Sequence, residues 1–166
     1  MSRRVLLADD RQMMRDGLRA ILEKDGQTQV VGEAADGREA VEVTQKLRPE
    51  IVVMDVAMPK LNGIEATKQI LHHLPNVKIL ALSVHVDQRY ALSILDAGAM
   101  GYLIKDSAGE ELCRALACVE RGETYLSPPI AKMLVDSYRT RHTPTMRQEN
   151  KSLTAREREI LQLLAE

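Results

Sequence analysis

Aromatic residues are scarce in this sequence of 166 residues, which contains four tyrosines but neither phenylalanine nor tryptophan. A hydrophobic core must therefore be built from valine, isoleucine, leucine, methionine and alanine. The formal net charge of −1 lacks a strong bias of either sign and points to no particular partner. Hydrophobic residues make up 45% of the chain and charged residues 28%, which is ordinary for a soluble globular protein.

Cysteine and long apolar runs are also scarce. Cys113 and Cys118 lie five residues apart in a helical pattern, without the spacing of a metal site, which predicts free thiols in a reducing cytosol. The N-terminal apolar stretch has only four residues before Asp9 and Asp10, which is too short for a signal peptide or a membrane span. We therefore expect a cytoplasmic protein without a membrane partner.

Short apolar runs recur at nearly even intervals, and amphipathic segments lie between them. The runs occupy residues 4–8, 29–34, 50–54, 77–82 and 101–104. Because they are continuous rather than alternating, they are typical of strands buried on both faces of a sheet. Five strands alternating with five helices predict an α/β fold with a doubly wound, five-stranded parallel sheet. The flavodoxin-like order 2-1-3-4-5 is the commonest for this count, and it makes strands one and three neighbours.

The C-terminal part of the sequence has a different organisation. A sixth helix is predicted over roughly 129–140, followed by a polar stretch at 143–152 that is typical of a flexible linker. The last stretch opens with a capping box from Thr154 to Glu157, ahead of an amphipathic helix. The given sequence ends inside that predicted helix.

Polar side chains cluster at the predicted carboxyl ends of four strands. Asp9 and Asp10 follow strand one, Asp55 ends strand three, Ser83 ends strand four and Lys105 follows strand five. All five would line one crevice, where open α/β sheets bind ligands. Three carboxylates repel one another, by about 4 kcal/mol per pair at 4 Å and an effective dielectric of 20, and one lysine balances only one charge. Oxygen donors alone favour Mg²⁺ over zinc, and the pocket suits a phosphoryl group with a carboxylate as candidate nucleophile.

Each of these residues, taken singly, also has a plain structural interpretation. Asp10 would cap the first helix, Ser83 would cap the fourth, and Lys105 would be a surface lysine. The occurrence of all five residues at matching strand ends favours a common site over these separate explanations.

Four stretches of the sequence resemble the receiver domain of two-component response regulators: "LLADD", "VVMDVAMPKLNG", "ILALS" and "GYLIKD". The tail "LTAREREILQLLAE" is similar to the first helix of a LuxR-type helix-turn-helix domain. Together they resemble the NarL/FixJ class of transcription regulators, whose receiver has the CheY-like form of the flavodoxin-like fold. The resemblance implies a receiver domain at 3–122, a linker helix and flexible linker at 123–152, and a truncated DNA-binding domain at 153–166.

The resemblance implies a role for each acidic residue. Asp55 would be the phosphoacceptor, attacking the phosphohistidine of a sensor histidine kinase. Asp10 and Asp55 would bind Mg²⁺ directly, together with the backbone carbonyl of Ala57, and Asp9 would act through a bound water.

It also implies roles for residues after strands four and five. Lys105 and Ser83 would hold phosphoryl oxygens after transfer. Tyr102 matches a switch residue that turns inward when Ser83 is drawn to the phosphate, although a plain strand aromatic is an equal alternative. His85 matches a position that tunes hydrolysis of the phosphate, with a structural loop histidine as the alternative.

The sequence departs from the family pattern after strand five. Many receivers have proline there with a cis peptide bond, whereas here Asp106 follows Lys105. A cis bond before a residue other than proline costs about 2.5–4 kcal/mol, so the sequence leaves this isomer open.

The function implied by the resemblance is a phosphorylation-switched response regulator that acts on itself rather than as an enzyme on other substrates. The full-length protein would bind promoter DNA, and homodimer formation is left open. A helix-turn-helix reads DNA with its second helix, and the given sequence ends before it, so we expect no specific DNA binding by these 166 residues.

Two alternatives remain at this point. One is a Mg²⁺-dependent phosphohydrolase with an aspartyl-phosphate intermediate, which Ala57 argues against because its side chain cannot protonate a leaving group. The other is a receiver that acts only through protein–protein contacts.

Overall fold

The computed structural model describes residues 2–141 together with Ile160 and Leu164. The strands are β1 (Arg3–Ala8), β2 (Thr28–Ala34), β3 (Ile51–Asp55), β4 (Lys78–Ser83), β5 (Gly101–Ile104) and β6 (Tyr125–Leu126). The helices are α1 (Gln12–Asp25), α2 (Gly37–Leu47), α3 (Gly63–His73), α4 (Gln88–Asp96), α5 (Ala108–Glu120) and α6 (Pro128–Arg141). The predicted flexible linker at 143–152 lies outside the described residues, as does the segment at 153–166 apart from Ile160 and Leu164.

The described residues form six strands, all parallel, in the order β2-β1-β3-β4-β5-β6. The predicted doubly wound sheet with order 2-1-3-4-5 is therefore confirmed, but the predicted count of five strands is wrong by one. The additional strand, β6, has two residues and pairs with β5 at the edge of the sheet. Gly101 permits this pairing, since a Cβ atom there would lie 2.6 Å from the carbonyl oxygen of Tyr125.

Aliphatic side chains form the core, in one cluster on each face of the sheet. Alternate residues of β3 point to opposite faces, so that Val52 joins one cluster and Val53 the other. Strands β3 and β5 are buried along their whole length, whereas most of β2 is only partly buried because it is an edge strand. Ile160 and Leu164 from the C-terminal segment pack against the same cluster as Val52.

Helix α6 is joined to the sheet through hydrogen bonds of Ser127. The Ser127 N–H donates to the Tyr102 carbonyl at 2.9 Å, and the Ser127 Oγ accepts the Ile104 N–H at 3.0 Å. The Ser127 hydroxyl also lies 3.5 Å from the buried carboxylate of Glu111, which accepts the Tyr125 hydroxyl proton at 2.5 Å. The predicted sixth helix thus exists and begins directly beside the carboxyl end of β5.

No helix in the described part of the chain is both long enough and apolar enough to cross a membrane.

Candidate functional site

Three aspartates meet where β1 and β3 end side by side. The parallel register pairs Ala8 with Met54, so the residues that follow, Asp9 and Asp55, are neighbours. One carboxylate oxygen from each of Asp9, Asp10 and Asp55 lies within 4.8 Å of the others. Asp9 and Asp55 are 1% and 3% exposed, whereas Asp10 is exposed at the mouth of the site. The structure thus brings together the three acids that the sequence placed at these strand ends.

Lys105 lies between two of these carboxylates and is mostly shielded from solvent. Its Nζ lies 2.8 Å from Asp9 Oδ2 and 3.3 Å from Asp55 Oδ2, and its side chain is 10% exposed. The interpretation as a surface lysine is therefore excluded. The structure also answers the question of the Lys105–Asp106 peptide bond, since the described residues contain no cis bond. One lysine among three carboxylates leaves the cluster with an excess of negative charge.

The carboxyl group of Asp55 is unusually basic. Burial raises its pKa from 3.8 to about 6, and the negative charge of Asp9 contributes in the same direction. The Lys105 ammonium and the Ala57 N–H, which donates to Asp55 Oδ1 at 3.2 Å, oppose this increase in pKa without cancelling it. The carboxylate is thus mostly ionised at neutral pH, yet more basic than an ordinary aspartate and hence a better nucleophile.

The turn from β3 into α3 has a tightly fixed backbone. A Cβ atom on Gly63 would lie 2.2 Å from the Asp55 carbonyl oxygen, so a larger residue does not fit there. The Gly63 N–H donates to the Val56 carbonyl at 2.9 Å, and the Asn62 side chain caps α3 by accepting the Glu65 N–H at 2.9 Å. This turn holds Ala57 at the surface beside Asp55.

Neither Asp10 nor Ser83 caps a helix. The residue before α1 is Arg11, whose side chain makes no capping hydrogen bond, and α4 is capped by Asp87, which accepts the Arg89 N–H at 2.8 Å. The capping alternatives for both residues are therefore wrong.

Ser83 and Tyr102 both contact the backbone of His85. Ser83 Oγ accepts the His85 N–H at 3.0 Å, and the Tyr102 hydroxyl donates to the His85 carbonyl at 3.0 Å. Tyr102 is 0% exposed and thus occupies the inward position. The His85 ring is exposed and stacks on Tyr90, with ring centroids 5.0 Å apart. The sequence pointed to Ser83, His85 and Tyr102, but it carried no signal for the contact with Tyr90.

A cavity of about 530 Å³ opens beside the acidic cluster. Its lining combines the carboxylate-bearing residue Asp10 with Ala57, Met58, Ile64 and Tyr90. The cluster is therefore accessible from outside on the side of its exposed acid, Asp10.

The donor set fits a hard divalent cation. All three candidate side chains offer carboxylate oxygens, which Mg²⁺ prefers, and one of them faces solvent. A single lysine leaves part of the carboxylate charge unbalanced, which a cation would offset.

Comparisons with known proteins agree with this geometry. Residues 5–117 match the protein family described as response regulator receiver domain. The chain is 35% identical to the transcriptional regulatory protein DegU of Brevibacillus brevis, over 98% of this chain and 74% of DegU. It is 40% identical to the transcriptional regulatory protein LiaR of Bacillus subtilis, over 98% of this chain and 76% of LiaR.

Solved structures give the same result. A two-component response regulator of the LuxR family from an Aurantimonas species is 36% identical, with a TM-score of 0.80 over 83% of this chain and 99% of that one. The isolated receiver domain of RcsB from Salmonella enterica, determined with the phosphomimetic BeF₃⁻, is 27% identical, with a TM-score of 0.73 over 80% of this chain and 98% of that one. The chain therefore belongs to the response regulator receiver family of two-component systems, among the relatives of NarL- and LuxR-type regulators.

Proposed function

We propose that Asp55 accepts a phosphoryl group from a phosphohistidine of a sensor histidine kinase, and that this phosphorylation switches a DNA-binding transcription regulator. The observation that carries the proposal is the geometry at Asp55. A buried, unusually basic carboxylate ends β3 beside a lysine that is mostly shielded from solvent and two further acids. This combination suits nucleophilic attack on phosphorus.

The acids beside Asp55 would hold Mg²⁺. Asp10 and Asp55 would bind it directly with the backbone carbonyl of Ala57, and Asp9 would act through a bound water. When bound there, Mg²⁺ supplies positive charge that offsets the charge of the carboxylates and of the phosphoryl oxygens. The exposed position of Asp10 and the cavity beside it support access for the donor.

In the transfer step, an oxygen of the Asp55 carboxylate forms a bond to phosphorus. The bond between phosphorus and the histidine nitrogen breaks, and the imidazole keeps the electron pair and takes up a proton. Lys105 and the Ser83 hydroxyl then hold oxygens of the phosphoryl group. The position of Lys105, already 3.3 Å from Asp55, supports this role because the ammonium need move only a short distance.

The switch would act through the loop that contains His85. Ser83 accepts a hydrogen bond from the N–H of His85, and Tyr102 donates one to the carbonyl of His85. A movement of Ser83 towards the phosphoryl group would therefore shift the backbone at His85 and alter its contact with Tyr102. The complete burial of Tyr102 and its hydrogen bond to this loop support a role for Tyr102 in such a switch. His85 would tune hydrolysis of the aspartyl phosphate from its exposed position in the same loop.

The output would be regulation of transcription by the full-length protein. DegU and LiaR are named as transcriptional regulatory proteins, and the chain spans about three quarters of the length of each. The proposed domain arrangement is a receiver at 3–122, a linker helix and flexible linker at 123–152 and the start of a DNA-binding domain at 153–166, and the family match at 5–117 supports the first of these.

Mass spectrometry tests the phosphoacceptor directly. Incubation with Mg²⁺ and acetyl phosphate is expected to add one phosphoryl group to the wild-type chain and none to Asp55→Asn. Asp96→Asn, which changes an exposed aspartate of α4, serves as the matched control and is expected to be phosphorylated like the wild type. An undiminished adduct in Asp55→Asn would contradict the assignment, and sustained turnover of the donor without an adduct would favour a phosphohydrolase.

A further inference from the structure

The first turn of α1 carries positive charge where a helix ordinarily disfavours it. Arg11 precedes the helix and Arg15 lies one turn further on, while the first turn has no acidic residue. The N-terminus of a helix carries a partial positive charge, so anions rather than cations are favourable there. An arginine at this position therefore requires compensation from its other contacts.

Arg15 has two such contacts, and they connect three elements of the fold. Its Nη1 donates to the carbonyl oxygen of Asp9 at 2.6 Å, and its Nε donates to Glu33 Oε1 at 2.9 Å. Its side chain is only 14% exposed. Glu33 lies on β2 and is held in its ionised form, because hydrogen bonds from Arg19 and Arg15 lower its pKa despite partial burial. Arg15 thus fastens the start of α1 to the end of β1 and to β2.

The segment held in this way is the one that presents the acids. The Asp9 carbonyl is fixed by Arg15, and the Arg11 N–H donates to Asp9 Oδ1 at 2.9 Å. Asp10 lies between these two anchored residues, so its backbone is held on both sides while its carboxylate faces solvent.

We infer that Arg15 is a positioning residue for the cation site, fixing Asp9 and Asp10 in the arrangement that binds Mg²⁺, and that Glu33 orients Arg15 for this purpose. The inference rests on the proposed function, since it assumes that these acids hold Mg²⁺. It extends that proposal to residues that bind neither the cation nor the phosphoryl group.

The inference makes a prediction opposite in sign to that of simple electrostatics. Removing a cation near an acidic site should strengthen Mg²⁺ binding if charge alone matters, whereas removing a positioning residue should weaken it. Arg19 provides a matched control because it pairs with the same carboxylate, at 2.6 Å from Glu33 Oε2. Among the described contacts, Arg19 does not reach the Asp9 carbonyl.

The experiment is a Mg²⁺ titration of the unphosphorylated 166-residue chain, monitored by isothermal calorimetry and by backbone amide NMR. Arg15→Ala is expected to weaken Mg²⁺ binding by about 10- to 100-fold, the usual cost of losing a group that orients a metal ligand. Arg19→Ala is expected to bind at least as tightly as the wild type. In phosphorylation by acetyl phosphate, Arg15→Ala should require more Mg²⁺ for half-maximal rate but recover the wild-type rate at saturation.

Arg15→Lys keeps the charge and one donor for the Asp9 carbonyl but loses the two-sided contact of the guanidinium. It is expected to bind Mg²⁺ with intermediate affinity, and it carries the test if Arg15→Ala does not fold. Wild-type affinity in every folded Arg15 variant, or tighter binding by Arg15→Ala, would overturn the inference while leaving the cation site intact. Absence of Mg²⁺ binding by the wild type, or Mg²⁺ binding that Asp10→Ala leaves unchanged, would overturn the cation site itself.

Discussion

The carboxylate of Asp55 should make the unphosphorylated protein less stable at neutral pH. Its pKa is about 6 in the folded protein, compared with 3.8 for an unperturbed aspartate. The folded state therefore binds this proton more tightly than the unfolded state. The resulting contribution to stability is complete below about pH 4 and is lost as the pH rises through 6. At pH 7.5 the carboxyl group is ionised in both the folded and the unfolded state, and this contribution to stability is absent.

The magnitude follows from the size of the shift. A difference of one pKa unit corresponds to about 1.4 kcal/mol, so a shift from 3.8 to about 6 corresponds to about 3 kcal/mol. Asparagine is neutral and nearly isosteric, and its oxygen can still accept the Ala57 N–H. We therefore expect Asp55→Asn to increase the free energy of unfolding at pH 7.5 by about 1–3 kcal/mol.

Urea unfolding followed by far-ultraviolet circular dichroism measures this effect, with a chelator present to remove divalent cations. The gain in stability of Asp55→Asn over the wild type should be large at pH 7.5 and close to zero at pH 4. Added Mg²⁺ should stabilise the wild type more than the variant, because binding to the folded state raises its stability. A variant that is less stable than the wild type at pH 7.5, or equally stabilised at both pH values, would refute the reasoning.

Two further substitutions test the surroundings of the site. Gly63→Ala should destabilise the protein by about 1–3 kcal/mol and slow phosphorylation, because its Cβ would collide with the Asp55 carbonyl oxygen. Gly109→Ala is the control and should cost nothing, because the added Cβ meets open space. Equal effects of the two substitutions in urea unfolding would contradict this prediction. Burial and the Glu111 carboxylate raise the pKa of Tyr125 to about 12, so Glu111→Gln should lower this pKa. Spectrophotometric titration of the tyrosines measures the change, and an unchanged pKa of Tyr125 would contradict the described contact.

The acidic cluster could be predicted from the sequence because strand ends determine it. In a parallel sheet, residues that follow neighbouring strands emerge at the same edge, so a correct strand order was enough to bring Asp9, Asp55 and Lys105 together. The low exposure of the Lys105 side chain was harder to predict from the sequence, because the residues that follow it, Asp106 and Ser107, carry no apolar signal. Only the surrounding fold distinguishes this lysine from a surface residue.

Side-chain contacts between distant elements could not be predicted in the same way. The pairing of Arg15 with Glu33 joins residues 18 positions apart, and it depends on the side-chain conformation of an arginine on a helix rather than on any periodic pattern. Arg15 lies three residues before Leu18 and seven before Leu22, so the helical period places it beside the buried face of α1 but does not show which groups its guanidinium contacts. Its contact with the Asp9 carbonyl becomes visible only when the start of the helix is placed against the end of β1.

The sixth strand was not predicted because it too depends on contacts between distant residues. Two residues are too few to establish an alternating or continuous apolar pattern, so β6 has no signature of its own. Its pairing depends instead on the absence of a side chain at Gly101 and on Ser127, whose hydroxyl accepts the Ile104 N–H. Ile104 is also the residue directly before Lys105. Ser127, the residue directly before α6, therefore holds the backbone at Ile104, which leads into the lysine of the site. The spacing of apolar residues does not encode this connection.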